Sequence, residues 1–121
     1  ELLGLIGELH RRSALAGRDA WTLRACRALD ADLRTPLPLV ASAVGLGVSA
    51  FRARFRAATG LSPRTWRIRR RIGRAQDLLA DRRLSLATVA ERLGYPDVPT
   101  FAKQFRSVVG ASPGAWRRYA D

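Results

Sequence analysis

The chain has 121 residues, one domain's worth, and its 47% hydrophobic and 26% charged residues are ordinary for a globular protein. Its charge is not ordinary: 22 basic residues oppose 10 acidic ones, a formal net charge of +12, and Lys103 is the only lysine. A single cysteine, Cys26, excludes an intrachain disulfide, the lone His10 offers little for acid–base catalysis, and no run approaches the roughly 18 apolar residues of a bilayer span.

In chain order, residues 1–8 are apolar between two glutamates but lack a basic lead-in or cleavage pattern, so no signal peptide is expected. Residues 2–12 predict an apolar-then-basic helix, residues 13–18 a linker, and the compact domain is expected to start near Asp19. The lack of methionine suits a piece of a longer chain. Residues 21–33 predict a helix offering Leu23, Cys26, Ala28, Leu29 and Leu33 to a core.

An internal repeat organises residues 37–117. At a shift of 50, Val48, Phe51, Phe55, Arg56, Gly60, Ser62, Pro63, Trp66 and Arg67 fall on Val98, Phe101, Phe105, Arg106, Gly110, Ser112, Pro113, Trp116 and Arg117. With one residue inserted in the second turn, Leu37, Val40, Ala41 and Gly45 match Leu86, Val89, Ala90 and Gly94 at a shift of 49. Each copy starts with an apolar stripe at i, i+3, i+4 and i+7: Leu37, Val40, Ala41 and Val44, then Leu86, Val89, Ala90 and Leu93. Gly45 and Gly94 should stop these helices through a left-handed cap.

After a short turn the next helix is expected to begin at about Ser49, acting as N-cap, and to bury Phe51, Phe55 and Ala58. Its counterpart is expected near Pro99, burying Phe101, Phe105 and Val108. Two helices joined by so short a turn make a helix-turn-helix, the first over residues 36–60 and the second over residues 85–110. Gly-x-Ser-Pro closes each copy and opens another helix. One is long, residues 63–80, with Trp66, Ile72, Ala75, Leu78 and Leu79 inward and Gly73 in its interior; the other covers residues 113–120. The expected fold is therefore all-α, about seven helices, with two helix-turn-helix subdomains joined by a long linker helix and an extra N-terminal helical segment.

From Leu33 to Gln76 there is no Asp or Glu, while Arg34, Arg52, Arg54, Arg56, Arg64, Arg67, Arg69, Arg70, Arg71 and Arg74 lie there. Uncompensated charge of this kind repels itself unless a polyanion is near: nucleic acid first, an anionic membrane surface second. On each second helix the face opposite the phenylalanines carries Ser49, Arg52, Ala53 and Arg56, or Pro99, Ala102, Lys103 and Arg106.

Gly60-Leu-Ser-Pro-x-x-Trp66, Ile72-Gly-Arg-Ala-x-x-Leu-Leu79, Ser85-Leu-x-x-Val-Ala-x-x-Leu-Gly-Tyr95, Phe101-x-x-x-Phe105-Arg and Gly110-x-Ser-Pro-x-x-Trp116-Arg stand in this order. Over residues 19–121 the chain thereby resembles the DNA-binding domain of the AraC/XylS family of bacterial transcription regulators. The resemblance implies seven helices and two recognition helices entering successive major-groove segments of double-stranded DNA. It implies a cytoplasmic, nucleoid-associated regulator, and activators of this kind touch RNA polymerase. It also implies an effector-sensing or dimerisation domain outside this chain, to which residues 1–18 would connect. No cofactor and no metal are implied.

By the same resemblance the base-reading positions are Ser49, Arg52 and Ala53, then Pro99, Ala102 and Lys103. Arg52 offers a bidentate contact to guanine, worth about 1–3 kcal/mol of discrimination, and Ala102 a contact to a thymine methyl. Any exposed Arg or Lys could equally touch only phosphate, which carries no sequence information. Pro99 and Ala102 depart from the family's longer polar readers, so the first helix is expected to carry most of the specificity. Candidate phosphate contacts are Arg54, Arg56, Arg64, Arg67, Arg69, Arg70, Arg71, Arg74, Thr100, Arg106 and Arg117, with helix N-termini at Ser62 and Ser112. Trp66 and Trp116 are expected in the core.

Other functions fit less well. DNA-repair alkyltransferases pair such a fold with a metal-bound cysteine, but Cys26 has no cysteine or histidine partner nearby and sits at helical spacing among apolar residues. A sequence-independent nucleoid or membrane role would not need two capped helix-turn-helix units. RNA binding lacks its exposed aromatics.

Overall fold

The computed structural model describes residues 20–120. Seven helices run along them: α1 Ala20–Ala31, α2 Leu37–Ala43, α3 Val48–Thr59, α4 Pro63–Leu79, α5 Leu86–Arg92, α6 Val98–Val109 and α7 Pro113–Tyr119. The expected helix over residues 2–12, the linker over 13–18 and the start near Asp19 lie outside the described residues. The chain divides into two compact units, with the boundary between Pro63 and Arg64.

In the first unit α1, α2 and α3 pack on one another. Trp21, Ala25 and Leu29, spaced by four, line the inner face of α1, and Leu33, Val40, Ala41, Phe51 and Phe55 complete the core. The Trp21 ring meets Phe51 at 5.7 Å between centroids, and Phe51 meets Phe55 at 5.8 Å. This corrects the expected face of α1. Leu23 is 49% exposed and Cys26 half-buried, because about 100° per residue carries Leu23 to the far side once Trp21 turns inward. Burying an indole removes more apolar area from water than burying a leucine, so Trp21 decides the rotation.

The second unit builds its core from Ile72, Ala75 and Leu79 of α4, Val89 and Ala90 of α5, Tyr95, and Phe101 and Phe105 of α6. Trp116 of α7 packs against it edge-on to Phe105, 6.0 Å between centroids. The helix expected as a linker thus contributes three fully buried side chains to this unit. At the end of α6, Val108, expected in the core, is 41% exposed, and Val109 packs on the core instead. Both flank the stripe in the last turn, and the elements packed alongside decide which one is covered.

The turns repeat as faithfully as the helices. In the first, Gly45 N–H donates to Ser42 O and Leu46 N–H to Ala41 O, both at 3.0 Å; in the second, Gly94 N–H donates to Glu91 O and Tyr95 N–H to Ala90 O, again at 3.0 Å. These 5→2 and 6→1 bonds form a Schellman motif, which needs a left-handed residue, and Gly45 and Gly94 supply it at φ +78° and +84°. Upstream, Arg34 N–H donates to Asp32 Oδ1 (2.9 Å) and Arg83 N–H to Asp81 Oδ1 (3.0 Å), so the turn before each helix-turn-helix is also duplicated.

Candidate nucleic-acid interface

Phe51 and Phe55 are fully buried, so the other side of α3 must face outward. Ser49, Arg52, Ala53 and Arg56 are all exposed there. On α6, burial of Phe101 and Phe105 likewise leaves Pro99, Lys103 and Arg106 exposed, with Ala102 half-buried. Arg52, Arg56, Lys103 and Arg106 make no side-chain hydrogen bond or ion pair among the described residues. Their charges are therefore uncompensated on the face that would meet a polyanion.

The starts of these helices differ from expectation. α3 begins at Val48 with Gly47 as N-cap, and no side chain caps it. Ser49 sits inside the first turn instead, which leaves its hydroxyl without a bond among the described residues. α6 begins at Val98, with Pro99 in its first turn and Asp97 as N-cap, its carboxylate accepting from Thr100 N–H at 2.8 Å. The Thr100 bonds hold the Asp97 carboxyl below the usual carboxylate range. Sequence reasoning passed over Asp97. The signal was present: Asp97 is the repeat partner of Gly47 and stands just ahead of Pro99.

Among the remaining basic candidates the structure separates several environments. Arg64, Arg69, Arg70 and Arg74 are exposed on α4, where Arg70 lies over the Trp66 ring at 5.4 Å. Arg67 and Arg71 are half-buried, and Arg71 lies over the Tyr95 ring at 5.3 Å. Tyr95 donates its hydroxyl to Gln104 Oε1, and burial pushes its phenol up despite the nearby Arg71 charge. Arg54 points at α1, its guanidinium 4.3 Å from the centre of the Trp21 ring. Arg117 is half-buried, donating from Nε to Leu79 O at 3.1 Å and from Nη2 to Asp81 O at 3.5 Å. Trp66 is half-buried.

Two short turns, two glycine-stopped helices and two phenylalanine-backed recognition helices define a double helix-turn-helix domain of DNA-binding type. A family described as a helix-turn-helix domain matches residues 40–119, running from α2 to the end of α7. The chain belongs to this family, the AraC-type helix-turn-helix domain.

Relatives and neighbours agree. The arabinose operon regulatory protein of Escherichia coli (strain K12) is 36% identical over 87 residues, 72% of this chain and 30% of that protein. The transcriptional activator NphR of a Rhodococcus species is 36% identical over 89 residues, 74% of this chain and 26% of that protein. The chain thus spans about three tenths of the length of the curated relatives it matches. The DNA-binding domain of AdpA, solved with a target DNA, superposes with a TM-score of 0.72 at 29% identity, covering 83% of this chain and 91% of that one. An AraC-type regulator from Chromobacterium violaceum shares the fold at a TM-score of 0.76 and 21% identity, covering 88% of this chain and 99% of that one. No helix among the described residues is long and apolar enough to cross a membrane.

Proposed function

We propose that this chain is the operator-reading part of a bacterial transcription regulator, a binding module rather than an enzyme, acting at the nucleoid. It inserts α3 and α6 into successive major-groove segments of double-stranded DNA. The observation that carries this reading is the pair of recognition faces, each backed by two buried phenylalanines and each bearing cationic side chains with no ion pair among the described residues.

Ser49, Arg52 and Ala53 read bases in the first half-site, Arg52 by a bidentate contact to guanine O6 and N7. Pro99, Ala102 and Lys103 face the second. Phosphates are held by Arg56 and Arg106, by the exposed arginines of α4 and by Thr100. Arg54 and Arg117 serve the fold first, since their guanidiniums already engage Trp21 and the end of α4. The domain spans residues 19–121, with an effector or dimerisation domain and RNA polymerase as partners of the whole protein.

The test is fluorescence anisotropy with the duplex upstream of the chain's own gene and a scrambled duplex, at two salt concentrations. A preference of about tenfold or more for the native duplex, reduced by Arg52→Ala, is the expected result. Equal binding to both, weakening together as salt rises, would leave a basic scaffold without operator specificity.

A further inference from the structure

The two recognition helices are near-copies in their buried residues and opposites at their N-terminal tips. Gly47 leaves the tip of α3 without a side chain, whereas Asp97 places a carboxylate at the tip of α6. Capping alone does not require that charge. Elsewhere in the second unit the chain caps α5 with Ser85, which accepts from Thr88 N–H at 3.0 Å, and α7 with Ser112, which accepts from Ala115 N–H at 3.1 Å. Of these three described caps of the second unit, only the one on the recognition helix is anionic. Asp97 is exposed and accepts from Thr100 alone among the described residues, so a group with roughly four acceptor sites keeps capacity to spare. Behind it the face offers Pro99 and Ala102, both apolar, and two cations, Lys103 and, further along, Arg106.

We propose that Asp97 is a specificity-determining residue of the second unit, accepting a hydrogen bond from the N4 amino group of a cytosine. The inference rests on the operator-reading function proposed above and supplies the chemistry of its second half-site. A carboxylate close to phosphates is repelled by them, and on the DNA side a base donor is the partner that favours it; cytosine N4 is the donor that acidic side chains read in the major groove. Pro99 and Ala102 suit the C5 edge of neighbouring pyrimidines, including a thymine methyl. The chain therefore reads guanine acceptors with the donors of α3 and a pyrimidine edge with the acceptor of α6.

The experiment is selection of bound duplexes from a randomised library by wild type, Asp97→Ser and Asp97→Asn. Circular dichroism and thermal unfolding of each variant confirm that it folds; Ser and Asn both retain a capping oxygen. Wild type should enrich cytosine at one position of the second half-site. Asp97→Ser should lose that preference by about tenfold with the first half-site unchanged, and Asp97→Asn should move it toward adenine, which an amide reads bidentately. Uniformly tighter binding by both variants with unaltered base preferences would overturn the proposal and leave Asp97 as a cap alone. An enriched first half-site dependent on Arg52, with no cytosine preference in the second, would overturn it while sparing the operator-reading function. Enrichment of no sequence at all would overturn both.

Discussion

Arg117, in α7, donates from Nε to the carbonyl of Leu79, the last residue of α4, at 3.1 Å. Its Nη2 also reaches Asp81 O at 3.5 Å, a turn carbonyl that already accepts from Leu84 N–H at 3.1 Å. The acceptor left over where the helix stops and met by this side chain is thus Leu79 O. A cation is also the favourable charge at the negative end of a helix. Arg117→Ala should lower the stability of the second unit by about 1–3 kcal/mol, because the part-buried carbonyls lose a charged donor. Thermal denaturation checks this. The salt dependence of DNA binding should keep its slope, which a lost phosphate contact would reduce by about one.

Arg54 and Arg56 are two residues apart and should behave differently. Arg54 lies over Trp21, so Arg54→Ala should cost stability by about 0.5–1 kcal/mol and leave the salt slope alone. Arg56 is exposed with no side-chain hydrogen bond or ion pair among the described residues, so Arg56→Ala should leave stability unchanged and reduce the slope by about one. Arg52→Ala should instead cost about 1–3 kcal/mol on the native duplex and less on scrambled DNA. Titrations across a salt series separate the three.

Glycine positions give opposite signs. A Cβ on Gly73 meets nothing within 4 Å, and Gly73 lies inside α4 with ordinary helical backbone. Gly73→Ala should stabilise by about 1 kcal/mol. Gly45 also has open space around it, but its φ is +78°. Gly45→Ala should destabilise by about 1–2 kcal/mol through backbone strain alone. Thermal midpoints of the two variants should move in opposite directions.

Two carboxyls make stability fall with acid. Side-chain hydrogen bonding from Arg83 lowers the Asp81 pKa, and bonding from Thr100 lowers that of Asp97, each from an ordinary 3.8. A depressed folded-state pKa contributes stability above the unfolded value, lost as pH falls through the folded one. Asp97→Ala and Asp81→Ala should each unfold at a lower temperature than wild type at pH 7. The part of each deficit that comes from the charge should close once pH drops well below 3.8.

Much of this molecule was legible along the chain because its determinants are local. The repeat, the Schellman glycines Gly45 and Gly94, the Ser112 cap and the phenylalanine pairs each depend on residues within one or two helical turns. Such chemistry is written at fixed spacing and needs no distant partner. The exposed face of α3 came from the same logic, since burying Phe51 and Phe55 leaves Ser49, Arg52 and Ala53 outside.

Tertiary structure decided the rest. The apolar pattern of α1 permits more than one rotation, and contact of Trp21 with Phe51, thirty residues on, selects the one that exposes Leu23. An arginine reads the same in sequence whether it waits for phosphate, stacks on an indole as Arg54 does, or closes a helix end 38 residues away as Arg117 does. The sequence by itself determined which elements form and where they stop, because hydrogen bonds and backbone preferences act between near neighbours. Only the packed chain determined how each helix turns and which cations stay outward, because those choices are set by the area and the acceptors that distant residues bring alongside.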